Sequence, residues 1–436
     1  MLHAHTCKKY LNRVYYFGPL LLMAILLSSC ATGDKRPPLK ATYLPDTANL
    51  MLLKIDPGKI EEDPLGSAIL DSVIYLPLET TGESMFSNIN QLEVTQSHYI
   101  IADETTNSIL LFDKNGRFYS KISNRDQKVE DSYKKIDKFT VNERNKEVIF
   151  ADQHTDYIFY YSFDGKFLKK IKKDFSSEGY YALSENNTCF YRSTDQMLYR
   201  SAAQYFAGNK EAERSRIVVA SQKEIKKWYL PVDTIALGPD DLYGVSQYFY
   251  NRHAGKVSLT LPYDYNVYEI DSAGQLFNSY RFVFPAKDAL PADFLVGDEY
   301  KGKRIRYLEK NKPLVYAIAD FYRVGSCITF RPINGLDLHN YLLYNLSGKK
   351  LFSIGTIVSD SLSFKLPLTE GRIYGVEPDE ALVSSVASSS LFKAKLYLSG
   401  NEQWDKSLPP VLKKFFSGTN VQNPVLTLLY VKKEPQ

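Results

Sequence analysis

Two stretches of this 436-residue chain repeat each other at a fixed distance. Tyr99-Ile-Ile-Ala-Asp103 followed by Ile109-Leu-Leu-Phe-Asp-Lys-Asn-Gly116-Arg-Phe118 returns as Glu147-Val-Ile-Phe-Ala-Asp152 followed by Ile158-Phe-Tyr-Tyr-Ser-Phe-Asp-Gly165-Lys-Phe167. Asp103 to Asp152 is 49 residues, and so is Gly116 to Gly165. Weaker echoes are Val267-Tyr-Glu-Ile-Asp-Ser-Ala-Gly274-Gln-Leu276 and Leu342-Leu-Tyr-Asn-Leu-Ser-Gly348-Lys-Lys-Leu351. Each unit reads as an apolar strand, a polar turn ending in glycine, and another strand. Gly116, Gly165, Gly274 and Gly348 are expected to supply the positive φ that such hairpins need.

Short strands at a period near 49 residues are the sequence signature of a β-propeller, whose blades take roughly 40–50 residues. The spacing predicts an all-β propeller of four-stranded antiparallel blades, six-bladed by the best count, with five or seven as the alternatives. Blades are placed near 86–123, 132–173, 180–230, 232–284 and 314–356, with a last one from 360 onward. The third is degenerate, with Thr188–Arg192 and Gln196–Arg200 as strands and no clean glycine turn. Closing such a ring shields sheet edges that would otherwise invite aggregation. Val73–Leu78 and Val425–Val431 are the expected partners in that closure. Aromatics make up 14 % of the chain, with 33 Tyr and 24 Phe, a bias that suits strands over helices. The long gap from Gly274 to Gly348 holds an insertion at about 288–312, whose spacing fits a short amphipathic helix broken by Gly297 and Gly302.

The N-terminus has a different character. Residues 1–29 carry Lys8, Lys9 and Arg13, no acidic residue, then an apolar block from Phe17 to Leu27 and two serines. This is the layout of a secretory signal, and the block is shorter than the ~20 residues a membrane span needs. Leu27-Ser-Ser-Cys30 resembles the lipobox of bacterial lipoproteins. That resemblance implies cleavage before Cys30 and lipid on its sulfur, with two or more acyl chains giving a stable anchor. The expected organisation is therefore a signal peptide at 1–29, a flexible tether at 30–49 and the propeller at 50–436. With a single acidic residue, Asp34, closely following Cys30, an outer membrane location facing the periplasm is favoured over surface exposure.

Removing residues 1–29 leaves 51 Lys and Arg (54 less 3) against 50 Asp and Glu. A near-neutral chain argues against nucleic acid, whose binding rests on phosphate neutralisation. Cys189 and Cys327 are far apart in sequence and are expected as buried free thiols.

Ile74-Tyr-Leu-Pro-Leu-Glu-Thr-Thr-Gly-Glu-Ser84, the repeated glycine turns and Asn423-Pro-Val-Leu-Thr-Leu-Leu-Tyr-Val-Lys432 resemble the six-bladed β-propeller lipoproteins of Bacteroidota, which are similar in shape to NHL-repeat propellers. The resemblance implies the fold and an envelope location. It implies no catalytic set.

Motifs for chemistry are sparse. The sequence holds no CxxC, no HExxH, no phosphate-cradling glycine loop and no GxSxG elbow. His98, His154, His253 and His339 lack ligand spacing. Asp103 and Asp152, at equivalent repeat positions, are expected to cap their own turns; the alternative is a channel-bound calcium held by both. No other cofactor is expected. The residues favour a lipid-anchored, non-catalytic binding or scaffolding module whose partner is an envelope protein or a glycan. The alternatives are a metal-assisted hydrolase or lyase in the central channel and a glycan-binding protein. Arg304, Arg306 and Tyr307, in an insertion at the rim of a propeller face, are the expected ligand contacts, since loops on a rigid frame carry most recognition.

Overall fold

A computed structural model describes residues 44–124, 132–155, 157–172, 179–184, 187–191, 212, 215–221, 225–231, 249–253, 255–336, 341–377, 381–400 and 402–435. The chain begins with three strands, β1 (Met51–Lys54), β2 (Ile60–Glu61) and β3 (Leu70–Pro77). Blade one is β4 (Gln91–Val94), β5 (His98–Asp103), β6 (Ser108–Asp113) and β7 (Phe118–Ile122). Blade two is β8 (Ile136–Asn142), β9 (Glu147–Asp152), β10 (Tyr157–Ser162) and β11 (Phe167–Lys172). Blade three is β12 (Gly179–Ala182), β13 (Thr188–Tyr191), β14 (Ser215–Ala220) and β15 (Ile225–Pro231). Blade four is β16 (Phe249–His253), β17 (Lys256–Thr260), β18 (Asn266–Ile270) and β19 (Leu276–Val283). Blade five is β20 (Ala317–Val324), β21 (Cys327–Ile333), β22 (Leu342–Asn345) and β23 (Leu351–Ser353). Blade six joins β24 (Ile373–Val376), β25 (Ala381–Val386) and β26 (Val425–Val431) to β3. The first strand of each blade adjoins the first strands of its neighbours. The result is a six-bladed β-propeller with those strands around the centre.

The apolar runs follow from this stacking. Alternate residues of a strand face opposite sides of its sheet, and both sides of a blade meet another blade. Ile100, Ala102, Ile109 and Leu111 pack against Phe139, Val148, Phe150 and Phe159 of blade two. Their immediate neighbours Tyr99, Ile101, Leu110 and Phe112 pack against Ala381, Val383, Leu426 and Leu428 of blade six. Each large apolar side chain buried this way contributes about 1.5–3 kcal/mol. A charge at either face of β6 would therefore separate two blades.

Closure is as the sequence predicts. β26 pairs antiparallel with β3 from Val425 opposite Pro77 to Tyr430 opposite Ser72. The sequence did not reveal the strap preceding it. β1 pairs parallel with β19, and β2 pairs parallel with β23. One N-terminal segment thus runs across blades four and five before completing blade six, and its first backbone contact is Asp46 N–H to Leu276 O, at 2.9 Å.

Three of the four glycine turns form as expected, with φ of 77° at Gly116, 75° at Gly165 and 75° at Gly274. Gly116 is also a close approach, since a Cβ there would lie 2.4 Å from the Pro77 carbonyl oxygen. Gly348 corrects the expectation. In blade five Lys349 takes the left-handed conformation, at φ 53°, while the Gly348 N–H is held by the Asn345 side chain. The expected strand at Gln196–Arg200 lies outside the described residues; the third strand of blade three is Ser215–Ala220.

Helices are more numerous than expected. The insertion holds α1 (Arg304–Lys310), and the link from β25 to β26 holds α2 (Ser388–Leu398), α3 (Glu402–Ser407) and α4 (Pro410–Phe416). Leu391, Trp404, Leu408, Leu412 and Phe415 bury the inner side of this second group against Tyr75 and Val425 of blade six.

Candidate functional site

In a four-stranded antiparallel blade, the link into the first strand and the turn between the second and third lie at the same end. At that end of blades one, two and six the structure has a cavity of about 240 Å³. Asn90 and Gln91 come from the start of β4, Asp103 and Glu104 from the end of β5, and Asp137 and Lys138 from β8. Gln153 follows β9, and Arg372 precedes β24.

Backbone irregularity accompanies three of these side chains, Asp137, Lys138 and Arg372, and recurs in blade five. β8 skips register between Ile136 and Phe139, which leaves Asp137 and Lys138 in a bulge. β24 skips between Ile373 and Gly375, beside Arg372. β20 skips between Ala319 and Tyr322, with Asp320 at φ 50°. Bulges turn side chains out of the regular pleat and are common beside functional sites.

Hydrogen bonds then fix the frame. The Gln91 side chain accepts from Phe139 N–H at 3.0 Å and donates to Phe139 O at 2.7 Å, so blade one holds the bulged strand of blade two. Arg372 Nη2 donates to Asn90 O at 3.1 Å, and its guanidinium lies 4.8 Å from the Tyr374 ring. Asn90 Oδ1 accepts from Glu104 N–H at 2.9 Å. On blade five, Asp320 Oδ2 accepts from Arg331 Nε at 2.7 Å and from the Tyr341 hydroxyl at 2.8 Å. Burial, and after it the Asp320 charge, holds the Tyr341 hydroxyl well above the usual phenol range, partly offset by Arg331 and Arg372.

Asp103 and Asp152 cap turns. Asp103 accepts from Ser87 N–H, Thr105 N–H and the Thr106 hydroxyl. Asp152 accepts from Lys134, Lys135 and His154 N–H groups and from Thr155. Burial pushes the Asp152 carboxyl up, but these donors outweigh it and leave the group below the usual carboxylate range. Asp103 lines the cavity and Asp152 does not. Among the described residues no three His, Cys, Asp or Glu gather as a metal centre would require.

The insertion lies in the link from blade four to blade five and is tied to neighbouring turns through Leu290 N–H to the Tyr265 hydroxyl and Gly335 N–H to Lys312 O. Of its three expected contacts, Arg304 is not at the surface. It is fully buried and donates to the carbonyls of Phe294 and Leu295, at 2.8 and 3.0 Å. This corrects the expectation: the guanidinium closes the turns before α1 by pairing the Phe294 and Leu295 carbonyls. Tyr307 is half-buried, its ring 5.1 Å from Tyr300 and 5.8 Å from Phe294, and Arg306 is exposed.

Elsewhere, Cys189 and Cys327 are free buried thiols, and burial pushes the Cys327 thiol up to about 11. His154 is an exposed turn residue. His98 is half-buried, 4.6 Å from Tyr119 and 5.4 Å from Phe163. Cys30, His339 and the His253 side chain lie outside the described residues. Apart from Asp103, sequence reasoning missed the residues around the cavity because they are scattered singly or in pairs along strands and turns of three blades. One signal was present: Glu104 and Gln153, each just after a repeated aspartate and 49 residues apart, both line it.

Comparison with solved structures places this fold beside a Bacteroides fragilis protein named "Putative exported protein", with TM-score 0.63, 15 % identity, 88 % of this chain and 100 % of that one covered. A member of the DUF4221 family from Bacteroides vulgatus matches at TM-score 0.42 and 8 % identity, over 84 % of this chain and 98 % of that one. No curated protein matches the sequence. The family model described as "Domain of unknown function (DUF4934)" matches residues 55–430, nearly the whole propeller. The chain belongs to the DUF4934 family.

Proposed function

We propose that this protein is a lipid-anchored binding or scaffolding module of the bacterial envelope, and that it receives its ligand at the cavity formed by blades one, two and six. The single observation that carries this reading is convergence. Polar side chains from three blades meet at one end of the ring, beside the bulges of β8 and β24, and Gln91 and Arg372 tie the blades together there by hydrogen bonds. Interactions held on a rigid frame in this way lose little entropy when a ligand arrives. The insertion and the α2–α4 group both leave the blades at that same end, so the ring carries its elaborations on one side.

The envelope location rests on the charge, length and small residues of segment 1–30, and the exported neighbour is in keeping with it. Cys30 is the proposed lipid acceptor, the tether follows it, and the outer membrane facing the periplasm is the proposed site. Metabolic labelling with an alkyne-bearing fatty acid tests the anchor: label is expected on the wild type and absent from Cys30→Ser. Affinity capture from envelope membranes, with and without residues 288–312, tests the rim. Loss of a partner supports a recognition role for the insertion, and an unchanged set of partners contradicts it.

A further inference from the structure

The cavity carries charges of both signs that do not satisfy one another. Arg372 has no carboxylate partner among the described residues; its bonds go to the Asn90 carbonyl, and its face to Tyr374. The Glu104 side chain enters no hydrogen bond or ion pair among them. Asp137 has only a long contact, 3.5 Å, from Gln153 Nε2. Asn90 stands between the first two, its carbonyl on Arg372 and its side-chain oxygen on the Glu104 N–H, at 3.1 and 2.9 Å. The Arg372 guanidinium and the Glu104 and Asp137 carboxylates, none of them in an ion pair among the described residues, thus line one small space beside Lys138 and the turn-bound Asp103.

We infer that the cavity takes a small zwitterion, an amino acid or short peptide, with its carboxylate on Arg372 and its ammonium between Glu104 and Asp137. The inference deepens the proposed function and rests on it. Arg offers a planar pair of donors matched to a carboxylate, and the volume of about 240 Å³ lies below the ~300–1,000 Å³ of sites for drug-sized molecules. The Asn90 amide and the Gln153 carbonyl remain for a peptide bond. A sugar fits less well: the apolar part of the lining is Ala102 and Ile136, with no ring among the lining residues on which a pyranose could stack.

Isothermal titration of the full chain in detergent, with alanine, alanylalanine, N-acetylalanine, alaninamide and glucose, tests it. Alanine or alanylalanine is expected to bind, with the stronger of the two separating amino acid from peptide. The blocked forms are expected to bind at least about tenfold more weakly, because each leaves a charge on one wall unpaired. Glu104→Gln, an exposed change that removes no bond of the fold, is expected to weaken binding by a similar factor with the circular dichroism spectrum unchanged. Arg372→Gln is expected to erase the preference for alanylalanine over alaninamide. Glucose or N-acetylalanine binding as tightly as the zwitterions overturns the inference, as does binding that both substitutions leave intact. Failure of all five ligands overturns the zwitterion assignment alone, and the capture experiment above still decides whether the module binds a macromolecule.

Discussion

The Gln91 side chain brackets the Phe139 peptide, taking its N–H at 3.0 Å and giving to its carbonyl at 2.7 Å. An amide thereby does between blades what a neighbouring strand does within a sheet. It occupies the groups that the β8 bulge frees and fixes the distance between blades one and two beside the cavity. Gln91→Ala leaves both backbone groups of Phe139 unpaired in a part-buried place, at a cost of about 1–3 kcal/mol each at most. The expected readout is a lower midpoint in urea, with Gln91→Glu intermediate because it keeps the acceptor and loses the donor.

Gly116 is the second test of blade spacing. Its φ of 77° costs a residue with a Cβ about 1–2 kcal/mol, and the new Cβ would stand 2.4 Å from the Pro77 carbonyl oxygen. Gly116→Ala is expected to destabilise by more than the dihedral cost alone. Gly255, at φ 76° with nothing near its Cβ position, is the control: Gly255→Ala is expected to cost only the dihedral part, measured by thermal unfolding.

Lys114 joins both oxygens of Glu377 at 3.0 Å, and the Tyr99 hydroxyl donates to the same carboxylate. The contact ties blade one to blade six at the end of the ring remote from the cavity. Its side chains are 27 % and 11 % exposed, so solvent screens the pair in part. Glu377→Ala is expected to cost about 1–3 kcal/mol, below the 3–5 of a fully buried pair, while leaving ligand binding at the cavity unchanged. A matched loss of binding in titration would contradict the separation of the two ends.

The response to acid follows from two groups. Asp152 is held below the usual carboxylate range by its four donors, against the opposing and largest effect of burial. Its stabilisation is therefore complete above the unfolded value of ~3.9 and is lost as pH falls through the folded value. His98 is held below the usual histidine range, chiefly by burial. Between its folded value and ~6.5 the unfolded chain binds the proton better, so stability already falls as pH drops below about 6.5. Denaturation midpoints across pH 3–8 are expected to show both steps. His98→Gln removes the upper one and Asp152→Asn the lower, and a profile that both variants leave unaltered would refute these assignments.

The ring was legible because its physics repeats. Ile109 to Phe112 read as an unbroken apolar run since one face of β6 meets blade two and the other blade six, and the turn glycines of blades one and two lie 49 residues apart. The closing strands were legible for the same reason. β1 was not: as an added edge it buries only Leu53 of its four residues, too little to leave a pattern. The α2–α4 group was missed because it interrupts one blade only, and nothing repeats it. Lys349 took the place expected of Gly348 because Asn345 holds the glycine N–H, a contact within the turn that the repeat does not encode. The cavity was least legible, since Glu104, Asp137 and Arg372 become neighbours only once three blades are arranged around a centre.

Site-specific photo-crosslinking in the living envelope tests most directly that one end of the ring does the binding. The crosslinker is placed at Gln153, exposed beside the cavity, or at Lys166, exposed on the other turn of the same blade. Adducts are expected from Gln153 and not from Lys166. Adducts from Lys166 alone would mean that the opposite end makes the contact, and would contradict the account.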